Sequence, residues 1–319
     1  MINRGAPAHA AERSRGRGSR KLFVIAGLLL VLSILVFVGL NSSSLIRSSS
    51  DEKPATSLGQ SVPTISDTPL ARIAVAGDTG TGDAAEAATA ERMRLESERT
   101  GHRFDALLLL GDLVYEDGDS SLTSQVVTEP FSRILEHATL IPVVGNHDVK
   151  SGEEKQIMSE LGRDSSWYVQ EVGPLRVIVL DSTRVDDEQQ TAWLRGVLAE
   201  KQPRNTWTIV ALHHSAYSSG SHGSDKGVQK AWVPLFAEAR VPLVMSGHDH
   251  DYERSTPQLG VTYVVSGAGA KLRPVGRSDF TAVSTSTLHF VDLLVYDDRV
   301  EVRAINHTGG LIDQFTIKR

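Results

Sequence analysis

The sequence predicts an α/β fold, and two patterns carry that expectation. Short apolar runs rich in β-branched residues alternate with stretches of helical spacing, and most of the runs end in a glycine and a polar side chain. Strands that alternate with helices are joined by crossovers and so run parallel. The strand-like runs are RIAVAG (72–77), ALLLLG (106–111), LIPVVG (140–145), LRVIVLD (175–181), WTIVALHH (207–214), VPLVMSG (241–247) and VTYVVSG (261–267). Helical spacing of apolar residues covers 84–99, 187–201 and 228–239. The tail breaks the alternation. LHFVDLLVYDDRVEVRAIN (288–306) reads as an antiparallel hairpin turned at Asp297–Asp298, and QFTIK (314–318) as one more strand. No internal repeat is visible, and no domain break follows residue 70.

The N-terminus is of another kind. Residues 1–21 carry Arg4, Arg13, Arg15, Arg17, Arg20 and Lys21 against Glu12 alone, so the rest of a chain of net charge −6 carries −11. That acidity argues against a nucleic-acid partner. A protein that handles phosphate on such a background would draw positive charge from metal ions. Leu22 to Leu40 is 19 residues without a charge, roughly 28 Å as a helix and close to the thickness of a bilayer core. With basic residues before it, the segment is expected to be a retained single-pass anchor in the cell membrane, holding the later residues outside the cytoplasm. The alternatives are a cleaved signal peptide, with a secreted product, and twin-arginine export from SRKLF (19–23). Residues 41–70, rich in Ser, Thr and Pro, read as a spacer, and 71–319 as the domain. Cysteine is absent, so a metal would be held by His, Asp, Asn, Glu or Tyr.

The polar residues after the strands form a pattern. Gly77-Asp78 closes the first run, Gly111-Asp112 the second, and Gly145-Asn146-His147-Asp148 the third. His213-His214 and Gly247-His248-Asp249-His250 follow later runs. A lone Gly-Asp is ordinarily a turn, and a lone His at a strand end a hydrogen-bonded core residue. Five such pieces at five strand ends are not explained by turns, because sites in α/β sheets gather where strand carboxyl ends converge. Carboxylates with imidazoles suit hard or borderline first-row ions. His248 and His250, two apart on an extended segment, can reach one side together and suit a pair of ions held close.

These motifs resemble the calcineurin-like metallophosphoesterases, which have the same order of an Asp motif, Gly-Asp, Gly-Asn-His-Asp/Glu, a His, and Gly-His-x-His. Within that superfamily the chain is similar to the small, tartrate-resistant-like purple acid phosphatases. Gly80 stands where most members have a metal-binding His, and Tyr115 follows Gly-Asp in GDLVY (111–115). The resemblance spans about residues 71–319 and implies a four-layer α-β-β-α sandwich of two mixed sheets, with a dimetal site at the strand carboxyl ends. Asp78, Tyr115 and His250 would hold the first metal, Asp112 would bridge, and Asn146, His213 and His248 would hold the second. Either His213 or His214 could bind, and the Val-x-x-His motif favours His213. Asp148 departs mildly from the pattern and is given no metal role. His147, and His222 from SGSHG (219–223), would face substrate, and SGAGAKLRP (266–274) matches a glycine-rich loop beside the site.

The implied ions are Fe(III) at the first site and Fe(II), Zn(II) or Mn(II) at the second. The implied reaction is hydrolysis of phosphate monoesters by direct attack of metal-bound hydroxide, with His147 and His222 protonating the leaving oxygen and no phosphoenzyme. The alternatives are a phosphodiesterase or nucleotide hydrolase on the same site, and a non-catalytic membrane-anchored binding domain. Loops 116–130 and 215–227 would set the substrate. Asp181 reads as a strand-end turn, with a supporting role behind the site as the alternative, and His9, His102, His137, His289 and His307 as surface or packing residues. Oligomeric state has no signature in the sequence.

Overall fold

The structure, a computed structural model, describes residues 60–319. The expected basic N-terminus and the anchor at 22–40 lie outside them. Among the described residues no helix is long and apolar enough to cross a membrane.

In chain order the elements begin with β1 (Gln60–Ser61), β2 (Ala71–Ala76), α1 (Ala84–Thr100), β3 (Ala106–Leu109), α2 (Ser132–Leu135), β4 (Thr139–Pro142) and α3 (Glu154–Glu160). There follow β5 (Tyr168–Val172), β6 (Leu175–Val179), α4 (Glu188–Ala199), β7 (Trp207–Ala211), α5 (Lys226–Ala231), α6 (Val233–Glu238) and β8 (Leu243–Ser246). The chain ends in β9 (Tyr252–Ser255), β10 (Thr262–Ser266), β11 (Thr281–Thr285), β12 (His289–Val295), β13 (Arg299–Asn306) and β14 (Gly310–Lys318).

The strands form two seven-stranded sheets, ordered β1-β14-β13-β12-β2-β3-β4 and β11-β9-β10-β8-β7-β6-β5. Strand alternation shows how the layers stack. In β2, Ile73 and Val75 join Leu108 of β3 and Val177, Val179, Ile209 and Met245 of the other sheet in one buried cluster. Ala74 and Ala76 point the other way, with Leu107 and Leu109, onto Met93 of α1 and Ile157 of α3. In the second sheet Ile178, Val210 and Val244 turn outward onto Leu194 of α4 and Trp232 and Phe236 around α6. Both faces of each sheet are thus apolar, which is why these strands read as continuous rather than alternating runs. The result is the expected four-layer sandwich.

Parallel pairing is narrower than the alternation suggests. It joins β2-β3-β4 and β6-β7-β8-β10, and every other pair is antiparallel. β5, β9 and β11 were not foreseen, nor the short helices α2 and α3. The helix expected over 228–239 is two, broken at Trp232 (φ −120°). Pro234 is the cause, since its ring excludes the carbonyl of residue 230 from a continuing helix. The segment read as a spacer also stops before residue 70. Gln60 and Ser61 pair with Leu311 and Gly310, Val62 is buried, and the Leu70 amide donates to the Val295 carbonyl.

The start of α1 carries a testable strain. Asp83 caps it by accepting from the Ala85 and Glu86 amides, and Glu86 reaches back to the Gly82 amide at 2.7 Å. Glu86 is fully buried and its Oε1 has no partner. Burial pushes its carboxyl up to about 8, against the Gly82 hydrogen bond. Because the folded value is raised, its contribution is present in full below about 4.5 and is lost as pH rises through about 8. Glu86→Gln should therefore match the parent at pH 5 and exceed it by about 1–3 kcal/mol at pH 9. Urea midpoints at the two pH values check this, and parallel curves would overturn it.

Candidate metal centre

The five polar motifs lie at the carboxyl ends of β2, β3, β4, β7 and β8. Parallel pairing within β2-β3-β4 and within β7-β8 puts those ends on one edge. The backbone there is bent out of ordinary conformations. Five non-glycine residues among those described have left-handed φ, and three of them are Asp78 (57°), Asp112 (52°) and His248 (71°). Each costs of order 1–3 kcal/mol and persists only where surrounding contacts impose it. Gly111 (φ 92°) shows the crowding, because a Cβ there would stand 2.5 Å from His213 Nδ1.

Two groups of donors share Asp112. In the first, the Tyr115 hydroxyl lies 2.9 Å from Asp112 Oδ2, 3.1 Å from Asp78 Oδ1 and 3.3 Å from His250 Nε2. Asp78, Asp112 and His250 each offer a ligand atom within 4.8 Å of the others. In the second, His213 Nε2 lies 3.3 Å from Asp112 Oδ1, 3.0 Å from Asn146 Oδ1 and 3.3 Å from His248 Nδ1. Asp112 therefore turns one oxygen to each group. His213, and not His214, faces the carboxylate, because His214 Nδ1 is bonded to Ser182 Oγ at 2.9 Å. The segment bearing His248 and His250 is not extended. The Asp249 amide donates to the Gly247 carbonyl and the Asp251 amide to that of Asp249. These tight turns are what send the two imidazoles to different groups.

The donor set fits two cations. His213 Nδ1 donates to the Leu110 carbonyl at 2.8 Å, which aims Nε2 at the Asp112 and Asn146 oxygens. Burial pushes the Asp78 carboxyl well up, and the Asp112 charge adds to it while His213 opposes it. Burial also acts against ionised Asp112, but His213 and the His147 amide outweigh it and hold that carboxyl down. The Tyr115 phenol is raised, first by burial and then by the two carboxylates. Burial and the neighbouring imidazoles push His248 down, and burial followed by Arg273 brings His250 to about 4. Buried carboxylates, imidazoles and a phenol that converge in two groups around Asp112 form a site that cations would stabilise.

The other expected residues are close by. His147 donates its amide to Asp112 Oδ1 at 2.9 Å, and its ring centroid is 4.5 Å from that of Tyr115. The His222 ring stacks on His248 at 4.2 Å, with Nε2 2.7 Å from an Arg273 nitrogen. Asp181 caps a turn at Thr183, as expected. His289 is buried and bonded to Ser266, a packing residue.

Several supports were not foreseen from the sequence. Asp148 ties two motifs together by accepting from the Val114 and Gly145 amides at 2.9 and 2.7 Å. Asp249 holds the loop of His222, accepting from the His222 amide at 2.7 Å and from Ser218 Oγ. Asp251 is buried with both oxygens unpartnered, and burial with Asp249 and Glu253 raises it to about 8. The signal for Asp249 was its place between two metal-type histidines. Gly80 has its own explanation. A Cβ there would lie 1.8 Å from the Leu113 carbonyl oxygen, so this backbone has no room for a side chain where an Asp-x-His motif needs one.

The calcineurin-like phosphoesterase family model matches residues 71–252. Purple acid phosphatase 4 of Arabidopsis thaliana is 26% identical over 214 residues, 56% of this chain and 63% of its own length. An uncharacterized protein of Mycobacterium tuberculosis is 32% identical over 146 residues, 39% of this chain and 26% of that protein. The chain thus spans less than two thirds of these first relatives. Among solved structures, purple acid phosphatase PPD1 of yellow lupin (Lupinus luteus) aligns with a TM-score of 0.67 at 21% identity, covering 78% of this chain and 54% of that one. GAP50 of Plasmodium, described as the anchor in the inner membrane complex, aligns at 0.65 and 16% identity, covering 78% and 88%. At such identities the structural likeness speaks for the fold.

Proposed function

This chain belongs to the calcineurin-like phosphoesterase family, and from that premise we propose that it is a dimetal hydrolase of phosphate monoesters of the purple acid phosphatase kind. The observation that carries the reading is the Tyr115 hydroxyl, set within 3.3 Å of Asp78, Asp112 and His250 where position 80 can hold no histidine. A phenolate is a hard, charged oxygen donor that favours a trivalent ion. Asp78, Tyr115 and His250 would hold Fe(III), Asp112 would bridge, and Asn146, His213 and His248 would hold Fe(II), Zn(II) or Mn(II).

When bound, the ions would polarise the phosphate oxygens and bring the ionisation of water down toward neutrality. The chain's own residues would supply orientation and protons. His147 and His222 flank the two donor groups, one on Tyr115 and the other on His248, so each can hydrogen-bond the phosphate and one can protonate the leaving oxygen. Asp148 and Asp249 would fix the loops that bear them. No side-chain nucleophile is needed, since water attacks phosphorus in line and the ester oxygen departs with the proton.

The visible spectrum of the aerobically purified protein tests the reading, beside that of Tyr115→Phe. A charge-transfer band in the parent that is lost in the variant is expected. A colourless parent that holds two metals and still cleaves esters would remove iron and the phenolate from the proposal. Turnover of a chromogenic monoester against a diester decides the specificity. The donor set, and not the fold, supports the catalytic reading. We further propose that the domain works outside the cytoplasm, held by residues 22–40.

A further inference from the structure

The domain is acidic, yet three cations ring the metal centre. Lys271 Nζ lies 3.7 Å over the Tyr115 ring and pairs with Glu116. Lys150 Nζ is 2.7 Å from His147 Nδ1 and 3.0 Å from the Glu116 carbonyl oxygen. An Arg273 nitrogen is 2.7 Å from His222 Nε2, and the Arg273 amide donates to the His250 carbonyl, tying its loop to the centre. None of the three cations makes an ion pair or hydrogen bond with Asp78 or Asp112 among the described residues. They stand one step further out, each against a different site side chain.

Local neutralisation explains part of this. Glu116 answers Lys271, and Asp117 lies 4.0 Å from Lys150. It does not explain Arg273, which has no carboxylate partner among the described residues and faces only an imidazole. A guanidinium with free N–H groups at the mouth of an anion site is suited to a second oxyanion, which it can grip in bidentate fashion. The scissile phosphate would be answered by the metal centre, so a charge on the ring outside it addresses another part of the substrate.

We infer that Lys150, Lys271 and Arg273 form a cationic rim that selects phosphate esters carrying a second phosphate group, with Arg273 binding that group. The inference rests on the phosphoesterase reading and narrows its substrate class. Excess negative charge elsewhere on the domain repels polyanions, which makes a local positive rim the feature that admits them.

The test compares kcat/KM of the metal-loaded full chain for phenyl phosphate and for a sugar bisphosphate, in parent, Arg273→Gln and Arg273→Lys. Using the ratio cancels any general damage transmitted through His222. The parent should favour the bisphosphate about tenfold, Arg273→Gln should lose that preference chiefly through KM, and Arg273→Lys should recover part of it. The preference should also shrink as salt rises from 50 to about 500 mM. Equal turnover of the two esters by the parent, or a preference that survives Arg273→Gln, overturns the rim and leaves the phosphatase reading standing. Failure to hydrolyse either ester with both metals bound overturns the phosphatase reading itself.

Discussion

Asp112→Asn should lower kcat/KM by roughly a thousandfold or more and at the same time remove most of the stabilisation that bound metal gives the fold. The two effects have one origin. Asp112 turns Oδ2 toward Tyr115 and Oδ1 toward His213, so it serves both donor groups at once. Asparagine offers one oxygen and no charge, and it should hold fewer than two ions. Without ions, however, ionised Asp112 raises the carboxyls of Asp78 and Asp148 and the phenol of Tyr115. That charge is nevertheless favourable on balance, since His213 and the His147 amide hold the Asp112 carboxyl down, so its loss should lower the metal-free Tm by a few degrees. The His147 amide keeps an acceptor in asparagine Oδ1. Metal content and Tm with and without chelator check both halves. If Asp112 only packs the strand end, the variant will gain as much Tm from added metal as the parent does, and the metal-site account fails.

How much of this was legible beforehand differs by kind of residue. The strands of the two inner layers were legible because burial on both faces leaves uninterrupted apolar runs, as in Ile73–Val75 and Leu107–Leu109. β9 and β11 were not, since YERS and TAVST mix polar residues and gain order from pairing with each other. The division at Trp232 could have been read from Pro234. Six of the nine candidate residues were legible because glycine is coupled to a metal-type donor at a strand end, whereas Tyr115, His213 and His222 came from the family resemblance. Their grouping came from the family resemblance and not from spacing, because it depends on left-handed backbone at Asp78, Asp112 and His248, which side-chain chemistry does not encode. Arg273 and Lys271 belong to a loop that was recognised by its glycines, and its charges went unread. Asp148 acts through backbone amides, contacts that leave no spacing pattern, and Asp249 was marked only by its place between two histidines.

A second large effect is expected far from the chemistry, at the opposite end of the strand that delivers Asp78. Arg72 is buried at the start of β2. Its guanidinium pairs side-on with Asp292 of β12 at 2.9 and 2.8 Å, donates to Thr100 Oγ1 at 2.7 Å, and lies 4.3 Å over the Phe104 ring. Strand alternation puts Arg72 on the helix-facing side with Ala74 and Ala76, so the pair clamps α1 and the β3 approach to the sheet. Arg72→Met should cost about 3–5 kcal/mol, because Asp292 is then buried with no partner for its charge. Arg72→Met combined with Asp292→Leu should recover much of that loss, since the double change removes the orphaned carboxylate, and the coupling should be about 1–3 kcal/mol. The Thr100 hydroxyl and the His102 carbonyl still lose their donor, which keeps recovery incomplete. Metal content per folded molecule should not change in either variant, because the donor groups lie beyond the strand's other end. Denaturation of the two singles and the double gives the cycle, and additive losses would mean that the pair contributes packing area and no charge coupling. A fall in metal content at full folding would mean instead that the clamp sets the position of Asp78 along its strand.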